Sequence, residues 1–186
     1  MCLRLLQDSR LYRFLFTIDQ EFADEAHAAG CPCGGRLHRA NYDRKARGGP
    51  SGMGPECDRR FSFCCAREGC RSRKTPRSVR FLGRRVYLGA VVLLVSAMQG
   101  GITDRRVAEL QELVGVSRRT LWRWRRWWRR MFPTSDFWRR ERGRFMPALH
   151  EGALSASLLE RFSGEDGRCR LIQALRFLAP LTTQSC

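Results

Sequence analysis

Hydrophobic residues recur at spacings of three and four along most of the chain, which is the pattern of amphipathic helices. The first such run extends over 11–29, ends at Gly30 and carries acidic residues in its second half. We expect this helix to pack beside the segment that follows it. Five further helices are predicted, over 84–98, 104–113, 118–131, 154–162 and 171–178.

Three segments add to this helical pattern. Hydrophobic and polar residues alternate over 59–65, which favours a β-strand. The segment 48–55 contains four glycines and two prolines and predicts an exposed loop. The longest apolar run, 86–98, has 13 residues, fewer than the roughly 17 to 25 that a helix needs to cross a bilayer. It therefore predicts a buried helix, and the whole pattern predicts an α+β fold that is mainly helical.

Most of the nine cysteines lie close together in the sequence. Cys31 and Cys33 belong to one glycine-containing turn, and Cys65 and Cys70 flank another. Two such turns can present four thiolates to one tetrahedral Zn²⁺ ion without leaving a position open for catalysis. Clustered cysteines in a reducing compartment favour a metal over disulfides. We therefore predict a structural zinc ion held by these four residues, which defines a small zinc ribbon.

The neighbouring cysteines leave the choice of ligands open. Cys64 directly precedes Cys65, and adjacent residues of a strand point to opposite faces, so only one of the two is expected to be a ligand. Cys65 is preferred because it leaves four residues before Cys70, within the usual spacing. His38 and Cys57 are reserve ligands. The alternative is that these cysteines are small buried hydrophobic side chains and loop thiols.

Charge points to a polyanionic partner. The chain has 35 Lys plus Arg against 18 Asp plus Glu, a formal net charge of +17, and only Lys45 and Lys74 are lysines. Arginine suits forked contacts to phosphate and guanine, although a GC-rich genome also raises arginine at the expense of lysine. Nucleic acid is the favoured partner, and a ribosome or an anionic membrane surface are the alternatives.

A pair of capped helices is predicted over 103–131. Thr103 can cap the first helix, Gly115 allows a sharp turn, and Ser117 can cap the second helix. This order is that of a helix-turn-helix motif, in which the second helix enters the major groove of DNA. The residues of the first helix that are expected to face inward are Val107, Ala108 and Leu110.

The second helix of this pair is strongly basic, with seven arginines between Ser117 and Arg130 and no acidic residue. Leu121, Trp124 and Trp128 share one stripe and are expected to face the core. The first turns are expected to contact bases and the later turns phosphates. The predicted DNA-binding residues are Ser117, Arg118, Arg119, Thr120, Trp122, Arg123, Arg126 and Arg129. The alternative is a solvated amphipathic helix, or one that lies on a membrane surface.

In these residues the chain resembles the amino-terminal region of insertion-sequence transposases, which begin with a zinc ribbon and continue into a helix-turn-helix. The resemblance covers about 31–132 and is carried by the turn at 31–35, the segment 60–65 with Cys70, the exit at 75–79 and the segment 115–121. One residue between Cys31 and Cys33 is fewer than the pattern usually has.

The catalytic domain that follows in those transposases is a ribonuclease-H-like fold with a metal-binding acidic triad. Only 53 residues follow Pro133 here, and their acids lie on helical or loop patterns. We therefore expect a non-enzymatic DNA-recognition component, an accessory protein of a mobile element, or a truncated relic.

The predicted organisation has four parts: an N-terminal helix over 1–30, a zinc ribbon over 31–82, a three-helix helix-turn-helix domain over 83–133, and a C-terminal helical packing or association segment over 134–186. The expected function is sequence-specific binding of double-stranded DNA, in end recognition or regulation, by a cytoplasmic, nucleoid-associated protein. The alternatives are a recognition subunit that works with a separate transposase catalytic chain, and an RNA-binding or ribosome-binding ribbon protein. A homodimer is also considered.

Overall fold

The computed structural model describes residues 3–44, 46–83, 86–98 and 101–183. It is mainly helical and includes two small antiparallel sheets, which confirms the predicted α+β, mainly helical class. The helices are α1 (Ser9–Ala28), α2 (Gly89–Ala97), α3 (Asp104–Val114), α4 (Arg118–Arg126), α5 (Asp136–Glu141), α6 (Leu154–Arg161) and α7 (Gly167–Leu178). The strands are β1 (Leu37–Arg39), β2 (Tyr42–Asp43), β3 (Arg59–Arg60), β4 (Phe63–Cys65) and β5 (Arg73–Lys74).

The two sheets lie in the segment that the cysteines occupy, and we call residues 31–74 the cysteine region. In the larger sheet β4 lies between β1 and β5, and Leu37 of β1 pairs with Cys65 of β4. The smaller sheet pairs β2 with β3. Along β4, Phe63 and Cys65 are buried while Cys64 is only partly buried on the opposite face, so the predicted alternation holds there. The predicted strand over 59–65 is divided, because β3 pairs with β2 whereas β4 pairs with β1 and β5.

Helix α2 forms the centre of the main hydrophobic core, as the apolar run predicts. All its residues except Ser96 are buried, and the helix packs against α4, α6 and α7. The predicted start at residue 84 lies outside the described residues, and the observed helix begins at Gly89. Tyr87 and Leu88 instead form isolated β-bridges with Arg47 and Phe81, which keep the backbone extended up to the helix.

The Gly/Pro loop at 48–55 lacks regular structure up to a short 3₁₀ helix, Pro55–Asp58. Its first part packs against α2 instead of being fully exposed. A Cβ atom at Gly48 would lie 2.9 Å from a methyl carbon of Val91, and the residue has a φ of +86°. Glycine is therefore required there both for space and for backbone conformation.

Three helical details differ from the sequence-based expectation. Helix α7 begins at Gly167, four residues before the predicted start, because Asp166 caps it by accepting a hydrogen bond from the backbone of Cys169. Ala108 is exposed and Val107 is half-buried, because α3 contacts the core mainly through Leu110 and Val114. Helix α5 was not predicted: its six residues are too few to show a period, although Ser135 caps it by accepting a hydrogen bond from the backbone of Trp138. Within the described segments, no helix is both long and apolar enough to span a membrane.

Candidate metal centre and nucleic-acid interface

The sulfur atoms of Cys31, Cys33, Cys65 and Cys70 lie within 4.8 Å of one another. The sulfur of Cys33 is 3.4 Å from that of Cys31 and 3.5 Å from that of Cys65, and the Cys31 and Cys70 sulfurs are 3.8 Å apart. The predicted set of four is therefore brought together. These thiols are close enough to hold one metal ion between them.

Two turns and one strand place these thiols. Helix α1 ends before Gly30, whose positive φ of 63° turns the chain so that Cys31 and Cys33 follow directly. The adjacent Gly35 lies against the cluster, since a Cβ atom there would be 2.6 Å from the sulfur of Cys65. Glycine at this position lets the backbone approach the thiols closely.

The other candidate ligands lie outside the cluster of four. Cys64 points to the opposite face of β4, where its thiol contacts the carbonyl oxygens of Cys65 and Arg71. His38 is exposed on β1 beside Cys64. Cys57 is buried in the 3₁₀ helix Pro55–Asp58, and burial raises the pKa of its thiol. The strand alternation that favours Cys65 over Cys64 thus agrees with the geometry.

The four thiols differ in acidity. A hydrogen bond with the Ser72 side chain is the main cause that lowers the pKa of Cys70 to about 6, and it also lowers the pKa of Cys31. The pKa of Cys65 is raised to about 12: a backbone hydrogen bond from Arg67 lowers it, but burial and the thiols of Cys31, Cys33 and Cys70 outweigh that effect. Ser72 lies 3.3 Å from both the Cys31 and the Cys70 sulfurs.

A buried ion pair, which the sequence pattern did not predict, joins α1 to the segment after β5. Asp19 accepts hydrogen bonds from Arg80 (2.8 Å), from the Ser78 hydroxyl (2.5 Å) and from the backbone of Val79 (2.7 Å). The Asp19 and Arg80 side chains are 0% and 1% exposed. The signal was present, because Asp19 follows Ile18 on the apolar face of α1, where a carboxylate must find a partner.

Two arginines are therefore removed from the surface charge. Arg80 also donates to the carbonyl oxygens of Glu56, Cys57 and Arg59. Arg60 is buried, and it donates to the carbonyl of Pro76 and to the Thr182 hydroxyl. Burial lowers the pKa of Arg60 to about 10. Neither side chain is exposed for binding a polyanion.

The turn between α3 and α4 has the capping residues that the sequence predicts. Thr103 accepts a hydrogen bond from the backbone of Arg106, and Ser117 accepts one from the backbone of Thr120, both at 3.4 Å. Gly115 ends α3 in the left-handed conformation, with a φ of 65°. The Tyr87 hydroxyl donates to the Gly115 carbonyl at 2.7 Å, which ties the turn to the core.

Helix α4 continues as a π-helical turn, Trp127–Met131, and we call residues 118–131 the basic helix. Leu121, Trp124 and Trp128 are buried, as predicted. Most of the predicted DNA-binding residues lie on the exposed face: Ser117, Arg118, Arg119, Trp122, Arg123, Arg126 and Arg129. Thr120 differs because it is buried, and its hydroxyl lies 3.2 Å from that of Ser117. Thr120 is therefore placed to support the start of the helix.

Contacts between side chains orient part of the exposed face. Arg118 forms an ion pair with Asp104 of α3, and Arg123 donates to the Thr120 hydroxyl at 3.2 Å. The Arg125 guanidinium lies over the ring of Trp122, which is 54% exposed. The result is a strip of guanidinium groups and one exposed indole ring on the outer side of the basic helix.

Protein-family models, curated proteins and solved structures contain no match to this chain.

Proposed function

We propose that this chain binds double-stranded DNA through the basic helix, as a non-enzymatic recognition component associated with a mobile element. The observation that carries the proposal is the division of the basic helix into two faces. Its inner face is fixed by Leu121, Trp124 and Trp128, while its outer face presents arginines and no carboxylate of its own. A rigid helix with this surface matches the charge and width of a major groove.

The local geometry supports a helix-turn-helix interpretation of α3 and α4. The caps at Thr103 and Ser117 and the left-handed Gly115 are what a short turn between two helices needs. The buried α2 supplies the third helix of the unit. On this interpretation the base-contacting residues are Arg118, Arg119, Trp122 and Arg123, and the phosphate-contacting residues are Arg126 and Arg129.

In the same proposal the four clustered cysteines hold Zn²⁺ in a structural ribbon. Four thiolates form a closed tetrahedral site, which supplies folding energy and no open coordination position. Three of the sulfur separations are 3.4 to 3.8 Å and none exceeds 4.8 Å, which suits four ligands around one ion with Zn–S distances of about 2.3 Å. The ribbon then braces the N-terminal part of the protein.

The test is to select bound genomic fragments and to measure affinity for the selected duplex and a scrambled duplex at several salt concentrations. We expect Arg119→Ala and Arg123→Ala to weaken selected binding by about 1 to 3 kcal/mol and to relax the preference at one base position. We expect Arg126→Ala to weaken binding to both duplexes and to reduce the salt slope by roughly one unit. If all three variants lost equal affinity for both duplexes, the helix would bind DNA without sequence specificity.

RNA is the competing partner, because charge alone attracts either nucleic acid. The same titration with an RNA duplex of the selected sequence separates them. A-form RNA has a deep, narrow major groove that a helix does not enter. DNA binding that exceeds RNA binding at every salt concentration is the expected result, and the reverse order would reject the proposal.

A further inference from the structure

A cavity of about 250 Å³ lies between the end of α2, the basic helix and α6. Trp124 and Trp128 form part of its wall from the basic helix, and Leu154 and Ser155 belong to the opposite wall from α6. We call it the α2–α4–α6 cavity. Its walls come from both the proposed DNA-binding helices and the C-terminal segment, to which no function has been given above.

Three arginines are among the residues that line this cavity, namely Arg106, Arg125 and Arg129. No aspartate or glutamate is among the lining residues that the structure describes. Arg106 donates to the carbonyl of Gly101 at 3.1 Å, and burial lowers the pKa of its guanidinium although the charge of Glu109 acts in the opposite direction. Several positive charges around a largely apolar space repel one another, and an anion in that space would relieve the repulsion.

Two polar atoms in side chains that line the cavity are buried without a hydrogen-bond partner among the described residues. They are the hydroxyl oxygen of Ser96 and the indole nitrogen of Trp128. Trp128 is only 3% exposed. An indole N–H can only donate, so its partner must be an acceptor. Because buried polar groups are nearly always paired, these atoms call for a hydrogen-bonding occupant.

We infer that the α2–α4–α6 cavity binds a small organic anion with an apolar body, such as an aromatic carboxylate. The positive charge of the lining arginines and the unpaired indole N–H of Trp128 suit the anionic group. The walls formed by Leu121, Trp124 and Leu154 suit the apolar body. An inorganic anion would leave these apolar walls without contact, and a neutral apolar molecule would leave the indole N–H of Trp128 without an acceptor.

Occupancy has a consequence for DNA binding, and this step rests on the proposed function. Arg129 is one of the proposed phosphate contacts, and Arg125 lies on the same helix, over Trp122. A ligand that binds these two guanidinium groups makes their positive charge unavailable for contact with the phosphates of the duplex. The bound anion therefore lowers the affinity of the protein for duplex DNA, and by linkage the duplex lowers its affinity for the anion.

The binding test is calorimetric titration of the full-length, metal-loaded protein, without DNA, with benzoate, phenyl phosphate, benzyl alcohol and inorganic phosphate. We expect saturable binding of benzoate or phenyl phosphate, at least about tenfold tighter than binding of benzyl alcohol and of phosphate. The matched variants are Arg106→Gln and Arg105→Gln, since Arg105 is the exposed neighbour that does not line the cavity. Arg106→Gln should weaken binding about tenfold and Arg105→Gln should leave it unchanged.

A second variant keeps the test decisive if Arg106→Gln disturbs the fold. Ala153 lines the cavity, so Ala153→Leu should fill part of it and abolish binding. Absence of saturable binding by either aromatic anion, or equal effects of Arg105→Gln and Arg106→Gln, would overturn the site. Binding that Ala153→Leu leaves unchanged would overturn it as well.

The consequence for DNA is measured separately, by duplex affinity with and without saturating benzoate. A weaker duplex affinity that Ala153→Leu restores to its value without benzoate is the expected result. If the anion bound but the duplex affinity did not change, the coupling would be overturned and the binding site would stand. A protein that binds the anion but no duplex at any salt concentration would overturn the proposed function alone.

Discussion

The cysteine region and the helical region are stabilised in different ways. The hydrophobic cluster around the cysteines contains few buried residues, Ala23, Cys31, Leu37, Phe63 and Cys65, and the strands are only two or three residues long. The main core, in contrast, is continuous and includes residues from all seven α-helices. A region with so little apolar burial needs another source of stability, whereas the helical region does not.

Two sets of contacts connect the cysteine region with the helical region. The Asp19–Arg80 pair links α1, which belongs to the main core, with the carbonyl groups of Cys57 and Arg59 in the cysteine region. Lys74 adds a second link by donating to the Gly30 carbonyl at 3.0 Å. The two regions can therefore differ in stability while α1 keeps them in one arrangement.

The largest expected effect is that of metal removal. Chelation should unfold the strands of the cysteine region and leave α2, α6 and α7 folded, because apparent zinc-binding energies of about 10 to 16 kcal/mol are typical of small ribbons. Amide resonances of β1 and β4 should lose their dispersion while those of α2 keep theirs. If the resonances of α2 lost their dispersion together with those of β1 and β4, the two regions would not be separable.

Adjacent cysteines provide the matched control for that experiment. Cys65→Ser should reduce bound metal to well below one equivalent, since its sulfur belongs to the cluster of four. Cys64→Ser should retain about one equivalent, because Cys64 faces the other side of β4. The same metal content in both variants would reject the ligand set.

The next largest effect concerns the connection. Asp19→Ala should destabilise the protein by about 3 to 5 kcal/mol, because it leaves Arg80 buried without its counter-charge. The measurement is the free energy of unfolding in denaturant. Glu25→Ala is the control, since its ion pair with Arg77 is exposed and should contribute at most about 1 kcal/mol. Similar losses for both variants would contradict the burial of the pair.

Metal affinity should rise with pH. Zinc binds thiolates, so each thiol that is protonated in the free protein must lose its proton on binding. Cys65, whose pKa is raised to about 12, is protonated at neutral pH, and its proton is always displaced. Cys70 adds a further proton only below its pKa of about 6, so the affinity should fall more steeply there, by about one further tenfold step per pH unit. Chelator competition as a function of pH measures this slope, and a constant slope through that range would contradict it.

A smaller effect is expected at the start of the basic helix. Ser117→Ala should destabilise the helical region by about 1 kcal/mol, because the cap of the Thr120 backbone N–H is lost. Ser117→Asp should retain the cap and most of the stability. Thermal unfolding followed through the helical signal compares the two variants, and equal losses would show that the hydroxyl is not a cap.

The sequence predicted those features that depend on neighbours along the chain. Caps at Thr103 and Ser117, the turn at Gly115 and the choice of Cys65 over Cys64 all follow from local backbone geometry. What escaped prediction depends on distant partners: Arg80 looks like part of a basic surface until Asp19, which lies 61 residues away, is brought beside it. Ala108 was wrongly predicted to face inward. Hydrophobic periodicity indicates which face of a helix is buried, but it does not indicate how far around or along the helix the core extends.

The central claim is that the basic helix, and not the cysteine region, carries the DNA contact. It is tested most directly by removing equal charge from each region and measuring duplex affinity over a range of salt concentrations. The two variants are Arg126→Gln/Arg129→Gln and Arg36→Gln/Arg39→Gln, all at exposed positions. We predict that the helix variant, which lacks both proposed phosphate contacts, loses about two units of salt slope and most of its affinity, and that the other variant stays close to the unmodified protein. Equal losses, or a larger loss from the cysteine region, would contradict the account.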